Sequence, residues 1–195
     1  PRVLPTKAAW ELGKRLGNQV IEQYIADEGK YPENIGMVFW SGSNMRSHGQ
    51  CIAEFLYFMG IKPVWEKGSL QVKRLEVIPL SELMRPRIDV TARISGLFRD
   101  TMPTVVELLD KAVLLAADLN ESENEKNKKK HISEESSLME KSGMTHEESW
   151  RNAAYRIFGD APGTYGAGVS ALLESRNWQT VDDLADVFVR WGGHA

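Results

Sequence analysis

The strongest structural signal in the chain is the apolar run IGMVFW at residues 35–40. The run is nearly continuous, which is typical of a strand that is buried on both faces of a parallel sheet. A turn follows at residues 41–44, SGSN, and a helix is predicted after it because Ser47 and Gln50 form an S-x-x-Q capping box. The sequence therefore predicts a strand, a turn and a helix over residues 35–59.

A second run of the same character lies further along the chain. Residues 88–94, IDVTARI, are rich in β-branched side chains and predict another core strand. Asp100 or Thr101 is then expected to cap a long helix that has Pro103 in its first turn. With residues 64–65 as a further strand, this succession predicts an α/β fold, namely an open, mainly parallel sheet flanked by helices.

Two further elements are predicted around these strands. Thr6 is the expected N-cap of an amphipathic helix that runs to about Asp27 and ends at Gly29. Residues 62–78 indicate a possible hairpin that turns at residues 67–68, Lys-Gly. We therefore expect residues 1–119 to form one α/β domain.

The composition changes after residue 119. Residues 121–130 contain three glutamates followed by four lysines, and residues 120–137 have almost no apolar side chain. We interpret residues 120–144 as a charged linker. Residues 120–137 are expected to be exposed and mobile, as a solvated linker or an exposed helix; an interaction tail is the alternative. A capping box from Thr145 to Glu148 opens a C-terminal part, residues 145–195, that we expect to be wholly helical.

The composition also excludes several classes of function. The 195 residues are 42% hydrophobic and carry a formal net charge of −3, so no basic excess exists for neutralising phosphates. No apolar run approaches the ~20 residues of a membrane span, and the first residues lack a secretory leader. The single cysteine, Cys51, excludes an internal disulfide and a cysteine-rich zinc site. We expect a soluble, cytoplasmic protein that has no membrane span and binds no nucleic acid.

Motifs for common chemistries are absent from the sequence. There is no G-x-x-x-x-G-K-[ST] loop, no G-x-G-x-x-G after a strand, no G-x-S-x-G and no H-E-x-x-H. The four histidines are too dispersed to predict a metal site from their spacing alone.

One candidate site is the turn at residues 40–50, because ligands of open α/β sheets bind at the carboxyl ends of strands near helix N-termini. If the helix extends back to Arg46, then Arg46, Gln50 and Glu54 share one polar face. His48 would then fall on the apolar side, where a packed histidine is the commoner outcome. Gln50 has an equally simple role in the capping box.

A second candidate is the glycine-rich stretch GTYGAG at residues 163–168. Its glycines either let a planar ligand approach the backbone closely or form a helix–helix loop that packs under Tyr165. Both interpretations stay open from the residues alone.

Several blocks occur in order between residues 5 and 193. They are PTKAAW at 5–10, WSG at 40–42 with Met45, Arg46 and Gly49, GIKPVW at 60–65, RPRIDV at 85–90, ISGLFRD at 94–100, RIFG at 156–159, GTYGAG at 163–168 and WGG at 191–193. Together they resemble the large subunit of the class I metal chelatases, the cobaltochelatase/magnesium-chelatase large-subunit family. Because that family's polypeptide is several times longer, this chain resembles an internal segment of it.

The resemblance implies insertion of a divalent metal, cobalt or magnesium, into a tetrapyrrole in cobalamin or chlorophyll-type biosynthesis. ATP and Mg would bind to separate AAA+ ATPase subunits, which agrees with the missing P-loop, and the remainder of the same large subunit would be the other partner. Residues 45–46 and 191–193 favour the cobalt branch, and the isolated segment is expected to be inactive. The alternatives are a non-catalytic domain that binds tetrapyrrole or docks the ATPase, and, from fold analogy only, an unrelated small-molecule transferase.

The resemblance also implies site residues. The family usually has a glutamate after Gly49, whereas this chain has Gln50, which cannot act as a base. His48 and Glu54 can replace that glutamate, since imidazole both binds metals and accepts protons near neutral pH. His48, Gln50 and Glu54 are therefore the catalytic candidates, and His48 and Glu54 are the candidate metal ligands.

Arginines are the expected partners of the carboxylates at the tetrapyrrole's edge. The candidate substrate-binding residues are Arg46, Arg87, Arg99, Asp100, Tyr165 and Gly166, and Arg93 is a further possible clamp. A helix cap with a local ion pair is the alternative for Arg99 and Asp100. We expect the turns at residues 40–50, 95–100 and 162–168 to converge on one functional surface.

Overall fold

A computed structural model describes residues 4–119 and 127–195 and has an α/β fold. The strands are β1 (Asn34–Phe39), β2 (Ile61–Trp65), β3 (Val72–Val77), β4 (Asp89–Ile94) and β5 (Ile157–Gly159). The helices are α1 (Lys7–Glu28), α2 (Ser41–Arg46), α3 (Gln50–Phe58), α4 (Leu80–Leu83), α5 (Gly96–Thr101), α6 (Pro103–Ala117), α7 (Asn127–Lys141), α8 (His146–Ala153), α9 (Val169–Ser175) and α10 (Val181–Trp191).

The central sheet is parallel and has the strand order β1–β4–β5. The predicted strands at residues 35–40 and 88–94 are confirmed as β1 and β4, which pair from Asn34 and Asp89 to Phe39 and Ile94. The expectation that the chain after Thr145 is wholly helical is wrong, because β5 adds to the free edge of β4. Three residues are too few to show an alternating pattern in the sequence.

Residues 64–65 do not belong to this sheet. They lie in β2, which pairs with β3 as a separate antiparallel hairpin, so the predicted hairpin is confirmed and their place in the parallel sheet is wrong. Two consecutive strands can pair in parallel only if a crossover of about a dozen residues or more connects them. Only residues 66–71 connect β2 to β3. Local antiparallel pairing is therefore the accessible arrangement.

Helix ends explain where the chain turns. Thr6 caps α1 by accepting a hydrogen bond from the backbone N–H of Ala9, and Gly29 ends it in the left-handed conformation, as predicted. The expected cap at Asp100 or Thr101 is wrong, because Ser95 caps α5 by accepting from the N–H of Phe98. Helix α6 then begins at Pro103 without a side-chain cap.

The segment after β1 differs from its prediction. Residues 41–46 form the short helix α2 instead of a turn, and positive φ angles of 55° at His48 and 91° at Gly49 separate α2 from α3. Helix α3 therefore begins at Gln50. Ser47 Oγ accepts from the backbone N–H of Gln50 at 3.3 Å, but the Gln50 side chain donates to Glu54, so the reciprocal capping box does not form.

The core lies on one face of the sheet. Alternate residues of β4 (Val90, Ala92 and Ile94) are buried there, on the side where α3 and α6 contact the sheet, and α1 packs outside α3. On the opposite face Val38 is 50% exposed. The prediction that the first strand is buried on both faces is thus wrong, because β1 is an edge strand with one open face.

Helix α7 changes the interpretation of the charged segment. Ile132 is 2% exposed and Ser136 is 4% exposed, and Ile132 packs with Ala153 and Ala154 in a small second core. The prediction that residues 120–137 are exposed is therefore wrong at these two positions, and residues 120–126 lie outside the described part. The mobility of the segment and the domain boundaries at 119 and 145 stay predictions.

Candidate functional site

Three loops follow the carboxyl ends of the three parallel strands. They are residues 40–50 after β1, 95–100 after β4 and 160–168 after β5, and parallel strands place them at one edge of the sheet. The first two loops are joined by the side chains of Ser41 and Thr101, whose oxygens lie 2.8 Å apart. The structure thus brings the start of the first loop against the second.

The second and third loops meet at Gly96. A side chain at this position would overlap the carbonyl oxygen of Thr164 and crowd the ring of Tyr165, so the close approach requires glycine. The glycine-rich stretch therefore packs on the turn that follows β4, and it does so with the Tyr165 ring beside the backbone of residue 96.

Arg99, Asp100 and Tyr165 form a hydrogen-bonded chain across these two loops. Arg99 Nε donates to Asp100 Oδ1 at 2.8 Å, and the Tyr165 hydroxyl donates to Asp100 Oδ2 at 2.5 Å. The hydrogen bond from Arg99, and then that from Tyr165, lowers the pKa of Asp100, while the same carboxylate raises the pKa of Tyr165. Arg99 Nη1 also donates to the backbone carbonyls of Asp160 and Ala161. Most of its N–H groups are therefore engaged within the chain.

Asp160 and Arg93 lie beneath this surface. Asp160 is 3% exposed, and its Oδ1 accepts from Arg93 Nη2 at 2.7 Å. Asp160 was not predicted as a site residue, because it follows β5, whose three residues are too few to show a strand pattern in the sequence. The apolar residues 157–158 before Gly159 are the signal that could have indicated a third strand end there.

Exposed apolar and aromatic side chains surround the meeting point of the loops. Val38, Trp40 and Phe188 line one small pocket together with Arg93 and residues 166–167. Trp40 is 53% exposed and Phe188 is 38% exposed, while Tyr165, next to the pocket residue Gly166, is 57% exposed. Phe188 reaches this surface from α10, and the guanidinium of Arg93 lies 4.8 Å from its ring centroid. We call Val38, Trp40, Tyr165 and Phe188 the aromatic rim.

The predicted catalytic residues lie on the turn between α2 and α3. The backbone carbonyl of His48 accepts from the N–H of Thr6 at 3.1 Å, and its side chain is exposed instead of packed on an apolar face. Gln50 Nε2 donates to Glu54 Oε1 at 2.9 Å. Burial raises the pKa of Glu54, and the hydrogen bond from Gln50 opposes that rise. Arg46 is exposed at the last position of α2.

Within the described residues, no hydrogen bond or ion pair joins this turn to the hydrogen-bonded series Arg99–Asp100–Tyr165. Among residues 4–119 and 127–195 there is also no group of three or more His, Cys, Asp or Glu side chains that could hold a metal ion. His48 and Glu54 therefore have no third protein ligand of these types within the described residues.

Arg87 occupies a different place from the other predicted residues. It is 5% exposed and donates to the backbone carbonyls of Met59, Gly60 and Ile78 at 3.2, 2.8 and 2.7 Å. These contacts hold the corner between α3 and β2. Its part in substrate binding stays a prediction.

Two other findings bear on the surroundings of the site. A cavity of about 630 Å³ lies between β3 and α6 and is lined by none of the predicted site residues. None of the helices in residues 4–119 and 127–195 combines the length and the apolar composition that a membrane span needs.

Comparisons with known proteins agree on one family. A family model described as CobN/Magnesium Chelatase matches residues 1–195. The chain is 51% identical to an uncharacterized protein of Methanocaldococcus jannaschii over 195 residues, which are 100% of this chain and 16% of that protein. It is 40% identical over 194 residues to the aerobic cobaltochelatase subunit CobN of Pseudomonas aeruginosa, covering 100% of this chain and 16% of the relative. It is 35% identical over 190 residues to the chloroplastic magnesium-chelatase subunit ChlH of Oryza sativa, covering 97% and 13%.

A solved structure gives the same result. The catalytic subunit of cobaltochelatase from Mycobacterium tuberculosis is 42% identical and superposes with a TM-score of 0.88 over 99% of this chain and 16% of that one. The chain therefore spans only 13–16% of the length of these named relatives. On the whole-chain match and on these identities, this chain belongs to the CobN/magnesium-chelatase family.

Proposed function

We propose that this chain is a segment of the large, catalytic subunit of an ATP-dependent metal chelatase, a cytoplasmic enzyme that inserts a divalent metal into a tetrapyrrole. Cobalt or magnesium is the substrate metal, and cobalt is the one we favour. ATP and its Mg bind to separate AAA+ subunits that hydrolyse the nucleotide. The remainder of the large subunit completes the site. Membership of the family supports this proposal.

The observation that carries the proposal is the aromatic rim beside Arg99 and Asp100. A tetrapyrrole is a broad, planar and largely apolar ring system with carboxylates at its periphery. Exposed Trp40 and Tyr165 offer aromatic faces on which such a ring stacks. Exposed apolar side chains that gather at the carboxyl ends of parallel strands are typical of a binding surface. We assign macrocycle binding to this rim, with Asp100 orienting both Arg99 and Tyr165 and with Arg46 and Gly166 at its border.

Metal insertion requires that two pyrrole protons leave and that the hydrated cation loses its water. Burial raises the pKa of Glu54, and a carboxylate with a raised pKa is a better proton acceptor. His48 is exposed and supplies an imidazole for the same tasks. Helix α2, which connects the rim residue Trp40 to the turn that carries His48, has six residues and is about 9 Å long, and we propose that a wide ligand spans this length. We assign proton transfer and metal delivery to His48 and Glu54, with Gln50 orienting Glu54.

The test uses the full-length subunit together with its ATPase subunits, and it follows metal insertion by the change in tetrapyrrole absorbance with cobalt or magnesium. His48→Ala and Glu54→Gln are expected to lower the insertion rate. Gln50→Glu is expected to lower the rate less than Glu54→Gln does, because the new carboxylate cannot donate to Glu54 but can itself accept a pyrrole proton. Wild-type rates in both the His48 and the Glu54 variant would contradict the assignment of the chemistry to this turn. The isolated 195-residue chain is expected to insert no metal.

A non-catalytic domain that binds tetrapyrrole or docks the ATPase is the second candidate. Gln50 favours this second candidate, because the family resemblance implies a glutamate at this position. The Gln50 amide instead donates a hydrogen bond to the carboxylate of Glu54. The same assay separates the two candidates. If the full-length subunit binds tetrapyrrole but inserts neither metal with its ATPase present, the second candidate holds.

A further inference from the structure

Asp160 closes the loop that carries Tyr165. Its Oδ2 accepts a hydrogen bond from the backbone N–H of Ala167 at 3.3 Å, so both ends of residues 160–167 are tied together. Ala167 has a φ of 56°, a left-handed conformation that costs a residue with a Cβ free energy and persists only where its surroundings enforce it. The bond to Asp160 is one such constraint, and Tyr165 lies inside the closed loop.

Arg93 fixes Asp160 to the sheet and to α10. Its Nη2 donates to Asp160 Oδ1 at 2.7 Å, and its guanidinium lies over the ring of Phe188. A side chain at residue 192 would overlap this guanidinium, so Gly192 lets the end of α10 pack directly on it. The ion pair therefore links β4, the loop after β5 and the C-terminal helix at the base of the aromatic rim.

We propose that Asp160 is a positioning residue for tetrapyrrole binding: held by Arg93, it fixes the loop of residues 162–168 so that the Tyr165 hydroxyl stays on Asp100. This inference rests on the proposed function. Both oxygens of the carboxylate are used, one by Arg93 and one by Ala167. An asparagine has a single acceptor oxygen, so in Asp160→Asn either the guanidinium or the Ala167 N–H loses its partner. The loop that presents Tyr165 then loosens although the side chain keeps its shape.

The experiment is a double-mutant cycle on the full-length subunit with its ATPase subunits, measuring kcat and KM for the tetrapyrrole. Asp160→Asn and Tyr165→Phe are each expected to raise KM about three- to tenfold, the effect of one hydrogen bond, with kcat within about twofold of wild type. Asp160→Asn is expected to raise KM no further when Tyr165 is already Phe, because Asp160 acts through the Tyr165 hydroxyl. If Asp160→Asn does not fold, Asp160→Glu replaces it, since it keeps the charge beside Arg93 and displaces the acceptor of Ala167.

Asp89→Asn is the matched control. Asp89 accepts from Arg156 in another buried ion pair at 2.9 Å, on the same strand as Arg93 but outside this loop. Asp89→Asn is expected to lower thermal stability while leaving the KM for the tetrapyrrole unchanged. If Asp89→Asn does not fold, Asp110→Asn is the control instead. Two outcomes would show that the inference is wrong while the proposed function stands, provided that Tyr165→Phe raises KM. In the first, Asp160→Asn leaves KM unchanged. In the second, the double variant raises KM by the product of the two single effects. If Tyr165→Phe itself has no effect on KM, the inference is wrong and the proposed function stands, because phenylalanine keeps the aromatic ring and lacks only the hydroxyl that binds Asp100.

Discussion

Glu54 is a carboxylic acid held in an environment that disfavours its charge. Burial raises its pKa, and the Gln50 amide donates one hydrogen bond that partly opposes the rise. Because the pKa in the folded state lies above that in the unfolded state, the folded protein binds the proton more tightly. This contribution to stability is complete below the unfolded value, about 4.3, and is lost as the pH rises through the folded value.

Glu54→Gln is therefore expected to flatten the pH dependence of stability. The variant should be at least as stable as the wild-type chain at pH 8, since the buried negative charge is gone and the new amide oxygen still accepts from Gln50. Urea unfolding of the 195-residue chain at pH 4 and pH 8 measures the effect. Glu22→Gln on the exposed face of α1 is the matched control and should change neither value. A loss of stability at pH 8 that is confined to Glu54→Gln would contradict this account.

The arginines show how far single residues could be interpreted from the sequence. Arg87, Arg93 and Arg99 look alike in the sequence, and all three were candidates for binding a carboxylate. Their partners distinguish them: Arg87 donates to backbone carbonyls, Arg93 pairs with Asp160, and Arg99 pairs with Asp100. The partners of Arg87 lie at the corner before β2 and just after β3, and Asp160, the partner of Arg93, lies in the loop after β5. Sequence spacing within one element therefore carries no information about them.

At the scale of secondary structure, α7 and α8 form a packed pair outside the main core. Helix α7 has a polar sequence, and Ile132 is its main apolar anchor against Ala153 and Ala154. Helix stability in proteins comes mostly from tertiary packing of an apolar face, so a single well-placed side chain can decide whether such a helix is held.

Ile132→Ala is expected to destabilise this helix pair by about 2–4 kcal/mol, the usual cost of truncating a buried isoleucine. Leu138→Ala on the same helix is the control, because Leu138 is 66% exposed and its truncation should cost less than about 0.5 kcal/mol. Amide hydrogen exchange along residues 132–141 measures the loss of stability in both variants. Equal exchange in the two variants would show that Ile132 does not anchor the helix.

Elements with a clear cap or a clear apolar run were predictable, and elements without either were not. Helix α1, strands β1 and β4 and the capping box at Thr145 follow from local patterns. Helix α2 and strand β5 were missed because six and three residues carry too little periodicity. Strand β5 is stabilised by its pairing with β4, and that partner lies more than 60 residues away in the sequence.

At the scale of the whole molecule, the sheet places the candidate site. Three parallel strands end at one edge, and the loops after them supply Trp40, Tyr165 and Asp160. The sequence predicted two of these strand ends and the glycine-rich loop, so it located the region of the rim. It did not indicate Phe188, because the contact between α10 and Arg93 depends on how the C-terminal helices fold back over the sheet.

The central claim is that the aromatic rim binds the macrocycle, and equilibrium binding of a tetrapyrrole to the full-length subunit tests it most directly. Trp40→Ala is expected to weaken binding about tenfold or more, which corresponds to about 1.4 kcal/mol, because it removes an exposed stacking surface. Trp178→Ala is the matched control, since Trp178 is 38% exposed but lies outside the rim. Fluorescence quenching by the tetrapyrrole gives both dissociation constants, and Trp178→Ala should stay within about twofold of wild type. Wild-type affinity in Trp40→Ala would contradict the placement of the site on this rim.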